Sequence, residues 1–150
     1  MGRLNLKMLD TLNKHWGWSG LNGIEIVGRN PFGNLLVLDE TQAYWRICPE
    51  ELSCEIVAAN SQEYMQLMAR EDFQIDWDMS NLVDLARKHL GPLRDGWAYY
   101  LVIPSIFGGP YDASNIRCVP IEELIAHSGD WGLEVRDLPD GAQIKLRVID

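Results

Sequence analysis

Residues 90–115, LGPLRDGWAYYLVIPSIFGGPYDASN, constrain the fold more than any other stretch of the chain. Trp97 to Ile103 is an unbroken run of seven apolar or aromatic residues, far below the roughly 20 that a membrane helix needs. Its aromatic and branched side chains suit a pleated, buried surface, so it reads as a central strand covered on both faces. Gly91-Pro92 ends a preceding helix, because glycine takes the left-handed cap conformation and proline cannot continue the turn. Gly108-Gly109-Pro110 follows, where the backbone can bend too sharply for a side chain.

With 150 residues, 47% of them apolar and six tryptophans, the chain is expected to form one packed domain over 1–150. The N-terminus MGRLNLKMLDTLNKHWGW is broken by polar residues too often for a signal peptide. Leu6 stands where a myristoylation signal needs a hydroxyl. Cys48, Cys54 and Cys118 are an odd number lying in or beside strand-like runs. They read as free thiols in a reducing cytoplasm.

Charge is distributed unevenly. Asp39 to Asp84 contains eleven acids opposed only by Arg46 and Arg70, so the whole net charge of −9 sits in that segment. Such a field repels nucleic acid and speeds encounter with a basic partner.

Leu4, Met8, Leu12 and Trp16 repeat at helical spacing, predicting a helix over 3–16. Ile24–Val27 reads as a short strand, Asn30-Pro31-Phe32-Gly33 as a turn, and 35–38 with 43–48 as a hairpin around Asp39-Glu40-Thr41-Gln42. A strand over 54–58 continues the sheet. Asn60 and Glu63 resemble a capping box opening a helix to about Arg70, and a second helix spans about 79–90. Between them EDFQIDWD, if extended, sets Phe73, Ile75 and Trp77 against Asp72, Asp76 and Asp78, an acidic ledge with an aromatic anchor. Beyond the central strand we expect a strand at 116–119, a helix from Pro120 to Ala126, a brief strand at Leu133 and Val135, a turn at Pro139-Asp140-Gly141 and a final strand at 144–148. The mixed order indicates an α+β fold with a mainly antiparallel sheet, centred near 97–103 and packed by several helices.

No phosphate loop, GxGxxG, HExxH, CxxC or GxSxG is present. His15, His89 and His127 fall at or near predicted helix ends, where capping explains them better than metal binding. Asp76-Trp77-Asp78 is formally a DxD pair, but spacing suggests no third oxygen ligand, so a metal-dependent hydrolase is a minor alternative. We expect no catalytic residue, no cofactor and no bound metal.

Several stretches occur together in order: NPFGNLLVLDE, YWRICPEELSCEIVAAN, DFQIDWDM, LGPL, GGPYDASNI, EELIAHSGDWG and DLPDGAQI. This pattern resembles the C-terminal domain of immunity proteins for type VI secretion DNase effectors, over about residues 20–149. That domain often follows a GAD-like domain; here we expect only the N-terminal helix in its place. The DETQ turn also departs from the glycine expected at that hairpin. The resemblance implies a non-enzymatic, cytoplasmic inhibitor that binds a cognate toxin with a basic surface and neither nucleic acid nor membrane. The acidic segment fits that expectation, since nucleases hold phosphates in basic clefts. The candidate contact residues are Glu71, Asp72, Asp76, Trp77, Asp78 and Asp84, with Glu50, Glu51 and Glu55 in second place. A regulatory scaffold for a cellular protein is the alternative from a different class.

Overall fold

The helix expected at the N-terminus is α1 (Arg3–Trp16), in a computed structural model that describes residues 3–138. Four antiparallel strands follow: β1 (Gly23–Arg29), β2 (Leu35–Asp39), β3 (Tyr44–Cys48) and β4 (Ser53–Ala58), hydrogen-bonded in chain order. Next come α2 (Ser61–Met68), α3 (Glu71–Asp78) and α4 (Ser80–Leu90). A separate two-stranded ribbon pairs β5 (Trp97–Leu101) with β6 (Ile116–Pro120), and α5 (Ile121–Val135) closes the described chain. The fold is α+β with antiparallel sheets, as its sequence indicates.

Alternation along the strands separates two layers. Leu35, Val37, Trp45 and Ile47 face a core completed by Met8, Leu12 and Trp16 of α1 and by Ile121, Leu124 and Ile125 of α5. Trp16 is fully buried and its indole N–H donates to the Ile125 carbonyl at 3.0 Å. Helix α1 lies close against α5 because Gly129 leaves room: a Cβ there would stand 2.5 Å from the His15 carbonyl oxygen. Replacing Trp16 by Phe should cost about 2 kcal/mol, through the lost donor and the void left by the smaller ring. A urea denaturation series would show it as a lower midpoint with an unchanged slope.

The opposite face of the sheet carries Tyr44 and Arg46 and is covered by α2 and α3. Tyr44 stacks on Tyr64 of α2 at 4.0 Å, and Arg46 lies over Phe73 and Trp77 of α3. A second core joins Phe32, Val83, Ala86, Tyr99, Leu101 and Ile116.

Strand β5 is covered on both faces, with Ala98 in the first core and Tyr99 in the second. Its centrality is to the core: its hydrogen-bonded neighbour is β6, and the larger sheet is built by β1–β4. Seven apolar residues reported burial, which does not distinguish a sheet centre from a ribbon wedged between two clusters.

Two expectations are corrected. EDFQIDWD is the helix α3, not an extended ledge. Glu71 and Asp72 favour its N-terminal turn, the Asp72 carboxylate accepts from the Phe73 amide at 2.9 Å, and Phe73 and Trp77 stack one turn apart at 6.2 Å. Apolar residues at 73, 75 and 77 share one face of a strand, but Phe73 and Trp77 also share one face of a helix, and the helix forms at the cost of leaving Ile75 66% exposed. Leu133 and Val135 likewise continue α5 and form no strand, which places His127 within that helix and away from its end. The turn at 139–141 and the strand at 144–148 lie outside the described residues.

The DETQ hairpin works without glycine because Asp39 replaces it. Gln42 takes the left-handed backbone, φ 74°. Asp39 Oδ1 accepts from the Thr41 amide, the Thr41 hydroxyl and the Ala43 amide at 2.7–3.0 Å, while Oδ2 accepts from Trp45 Nε1 at 2.7 Å. Burial alone would raise this carboxyl's pKa; those hydrogen bonds outweigh it and hold the pKa below the usual value.

Candidate functional site

Where β3 ends, Pro49 starts a tight 3-10 turn over Pro49–Glu51, and Leu52 closes it in the left-handed conformation, φ 51°. A second left-handed residue, Met79 at φ 48°, ends α3 and starts α4. The side chains between these bends line a groove of about 650 Å³. Glu50, Glu51, Asp76 and Asp78 make it acidic; Ile75, Met79, Leu82, Leu85 and Tyr111 make it apolar. Two non-glycine residues held at positive φ beside one groove are a form of strain commonest at functional sites.

The floor is a buried polar chain. Asn34, fully buried, donates its amide N–H₂ to both oxygens of Glu50, at 3.1 and 2.9 Å. Its carbonyl oxygen accepts from Arg46 Nε and Nη2 at 3.1 and 3.0 Å. Arg46 Nη1 then donates to Asp76 Oδ2 at 2.5 Å, with its guanidinium 5.2 Å from the Trp77 ring centre. Arg46 is thereby fixed on all sides, and it draws α3 down onto the sheet. Burial pushes the Glu50 carboxyl up to about 7, with the Glu51 charge adding and the Asn34 amide opposing.

The candidate contact residues are thus divided. Glu51, Asp76 and Asp78 converge on the groove with Glu50, whereas Asp84 is exposed on α4 and does not line it. Glu71 is exposed at the start of α3. Asp72 is taken up by Arg70, whose Nη2 donates to Oδ2 at 2.5 Å. Glu55 is exposed on β4, directly across the strand pair from Arg46. Two expectations change. Glu50 is only 7% exposed and forms the groove's floor, not its rim. Trp77 is half-buried under Arg46, so the exposed apolar residue of α3 is Ile75.

Arg46, Asn34 and Tyr111 escaped sequence reasoning. Arg46 left a signal, being one of two bases among eleven acids and alternating with Trp45 and Ile47. Asn34 left none, because a buried amide looks like a turn residue until its partners are placed.

Among the described residues, no group of three His, Cys, Asp or Glu side chains is arranged to hold a metal ion. Burial raises Cys48 to about 12 and Cys54 to about 11, so both are neutral thiols at physiological pH and poor nucleophiles. No described helix is long and apolar enough to cross a membrane.

Fold and groove together define an α+β protein whose surface carries an acidic, partly apolar cleft. Residues 58–130 match the family described as T6SS immunity protein, Tdi1, C-terminal. That span holds α2, α3, α4 and the β5–β6 ribbon, and it is shorter than the 20–149 expected from the ordered stretches. The fold is similar to a solved protein, "Crystal structure of Atu4351 from Agrobacterium tumefaciens", at TM-score 0.56 and 18% identity, covering 84% of this chain. The chain spans 64% of the length of that protein. Comparison with curated proteins gave no match.

Proposed function

We propose that this chain is an immunity protein that binds a cognate type VI secreted toxin, a nuclease, and neutralises it by occlusion without catalysis of its own. The observation carrying this reading is that the family match and the acidic groove coincide: α3 and α4, which form one wall, lie inside residues 58–130. A nuclease holds phosphates with lysine and arginine, and a cleft lined by Glu51, Asp76 and Asp78 offers those bases a competing partner.

The test is capture by the tagged chain from a bacterium with its secretion system active, followed by mass spectrometry. Recovery of one basic, nuclease-like chain at equal stoichiometry is the expected result. Recovery of housekeeping proteins alone points instead to the scaffold reading.

Charge reversal should then act on association. Asp76 is a poor choice because its loss leaves Arg46 facing a new cation. Glu51→Lys with Asp78→Lys alters two exposed groove acids that have no basic partner within 4 Å among the described residues. We expect the association rate to fall roughly tenfold at low salt, with little change in dissociation and a shrinking difference as salt rises. Surface plasmon resonance across a salt series reads both rates.

A further inference from the structure

From Ala59 to Leu82 the chain contains no buried residue, although it forms two complete helices there. Helices α1, α4 and α5 each bury residues completely, Leu12, Ala86 and Ile125 among them. Neither hydrophobic core draws a side chain from residues 60–78. Short helices owe most of their stability to the face they bury, so α2 and α3 depend on a few separate contacts. Tyr64 of α2 stacks on Tyr44 at 4.0 Å. In α3, Phe73 and Trp77 lie against the Arg46 guanidinium, and Asp76 accepts from Arg46 Nη1 at 2.5 Å. Asn30 Nδ2 donates to the Trp77 carbonyl at 2.9 Å.

We propose that residues 60–79 form a strap, α2 and α3 together, that lifts off the sheet as one unit and is latched by Arg46. Both ends are joints. Asn60 is extended where β4 gives way to α2, and Met79 takes the left-handed backbone where α3 gives way to α4. The two helices are tied to each other, because Gln74 Nε2 donates to the Met68 carbonyl at 2.7 Å. Opening breaks one stacked pair, one hydrogen bond from Asn30 and the hold of Arg46, whose partner Asp76 is 69% exposed. Both cores stay closed. Few buried contacts and solvent-facing backbone hydrogen bonds mark a segment that opens below the free energy of global unfolding. Ile75, Asp76 and Asp78 supply one wall of the groove, so the groove exists only while the strap is shut. A partner seated there selects the closed state. That last linkage rests on the binding reading; the strap itself does not.

Native-state hydrogen exchange of the full chain, followed by NMR at a series of low urea concentrations, tests the strap. Amides of 64–68 and 74–78 should share one opening, with protection at least about a hundredfold below that of β2, β3 and α1. Asp76→Asn weakens the latch at an exposed position without disturbing either core. It should raise exchange about fivefold in α3 and equally in α2, where Asp76 makes no hydrogen bond or ion pair, and leave β2 and β3 unchanged. Strap protection equal to that of the core overturns the proposal, as does an Asp76→Asn effect that is absent or confined to α3. Capture of an effector is read separately, so an overturned strap leaves the immunity reading standing.

Discussion

Glu50→Gln is expected to stabilise the folded chain by about 2–3 kcal/mol at pH 8 and to flatten its stability between about pH 5 and 7. The Glu50 carboxyl titrates near 7 when folded, against 4.5 as a free side chain. The folded state therefore holds this proton more tightly than the unfolded state, and stability falls as pH rises through that window. Above pH 7 the penalty of a buried charge is present; below pH 4.5 it is gone. Glutamine removes the charge but keeps only one of the two oxygens that accept from the Asn34 amide, so the gain falls short of the full charge penalty. Thermal melts of both proteins at pH 5 and pH 8 measure the effect, and parallel pH slopes would refute it. Asp39 does not blur the result. Its pKa is lowered, so its contribution is present above the unfolded carboxyl's pKa and is lost only as pH falls below it.

Gly109→Ala is expected to cost more than about 3 kcal/mol, and to loosen the groove with it. A Cβ at residue 109 would lie 1.8 Å from the Ile103 carbonyl oxygen and 2.9 Å from Asn115 Nδ2. Neither can step aside cheaply. Asn115 Oδ1 accepts from the Ile103 amide at 2.9 Å, while its Nδ2 donates to the Ile103 and Pro110 carbonyls at 2.9 and 3.1 Å. That side chain fastens both ends of the loop between β5 and β6. The loop carries Tyr111 into the groove, and its Ser105 hydroxyl donates to the Glu50 carbonyl at 3.0 Å. Loss of the bend thus reaches the site. Gly108→Ala is the control: Gly108 has φ 84° with nothing near its missing Cβ, so alanine there meets only backbone strain, about 1 kcal/mol. Urea midpoints for the two variants should differ clearly, and equal midpoints would show that the close approach is relieved.

Much of the fold was legible because its signals are local. The 3.6-residue repeat of Met8, Leu12 and Trp16 specifies α1; Asn60 with Glu63 starts α2; β3 alternates in burial as its sequence does, with Trp45 and Ile47 inside and Tyr44 and Arg46 half-buried. Asn60 Oδ1 accepts from the Glu63 amide at 2.9 Å, and Glu63 returns to the Ala59 amide at 3.0 Å. The sequence misled where one pattern served two periods. EDFQIDWD fits a strand or a short helix, and contact with Arg46 across the sheet face decided the matter. Leu133 and Val135 fit a strand until α5 is seen packing along α1, whose long contact extends the helix.

The sequence by itself determined the fold class, the free thiols, the concentration of charge between residues 39 and 84, and the family resemblance. Each depends on residue identity or on neighbours a few positions away. Only the tertiary structure decided which acids act together. Asp72 is claimed by Arg70, Asp84 lies off the groove, and Glu50 is drawn inside by Asn34, a residue 16 positions away. Desolvation and cross-chain hydrogen bonds depend on what stands opposite a side chain, and that information exists only once β3, α3 and the β5–β6 loop have come together.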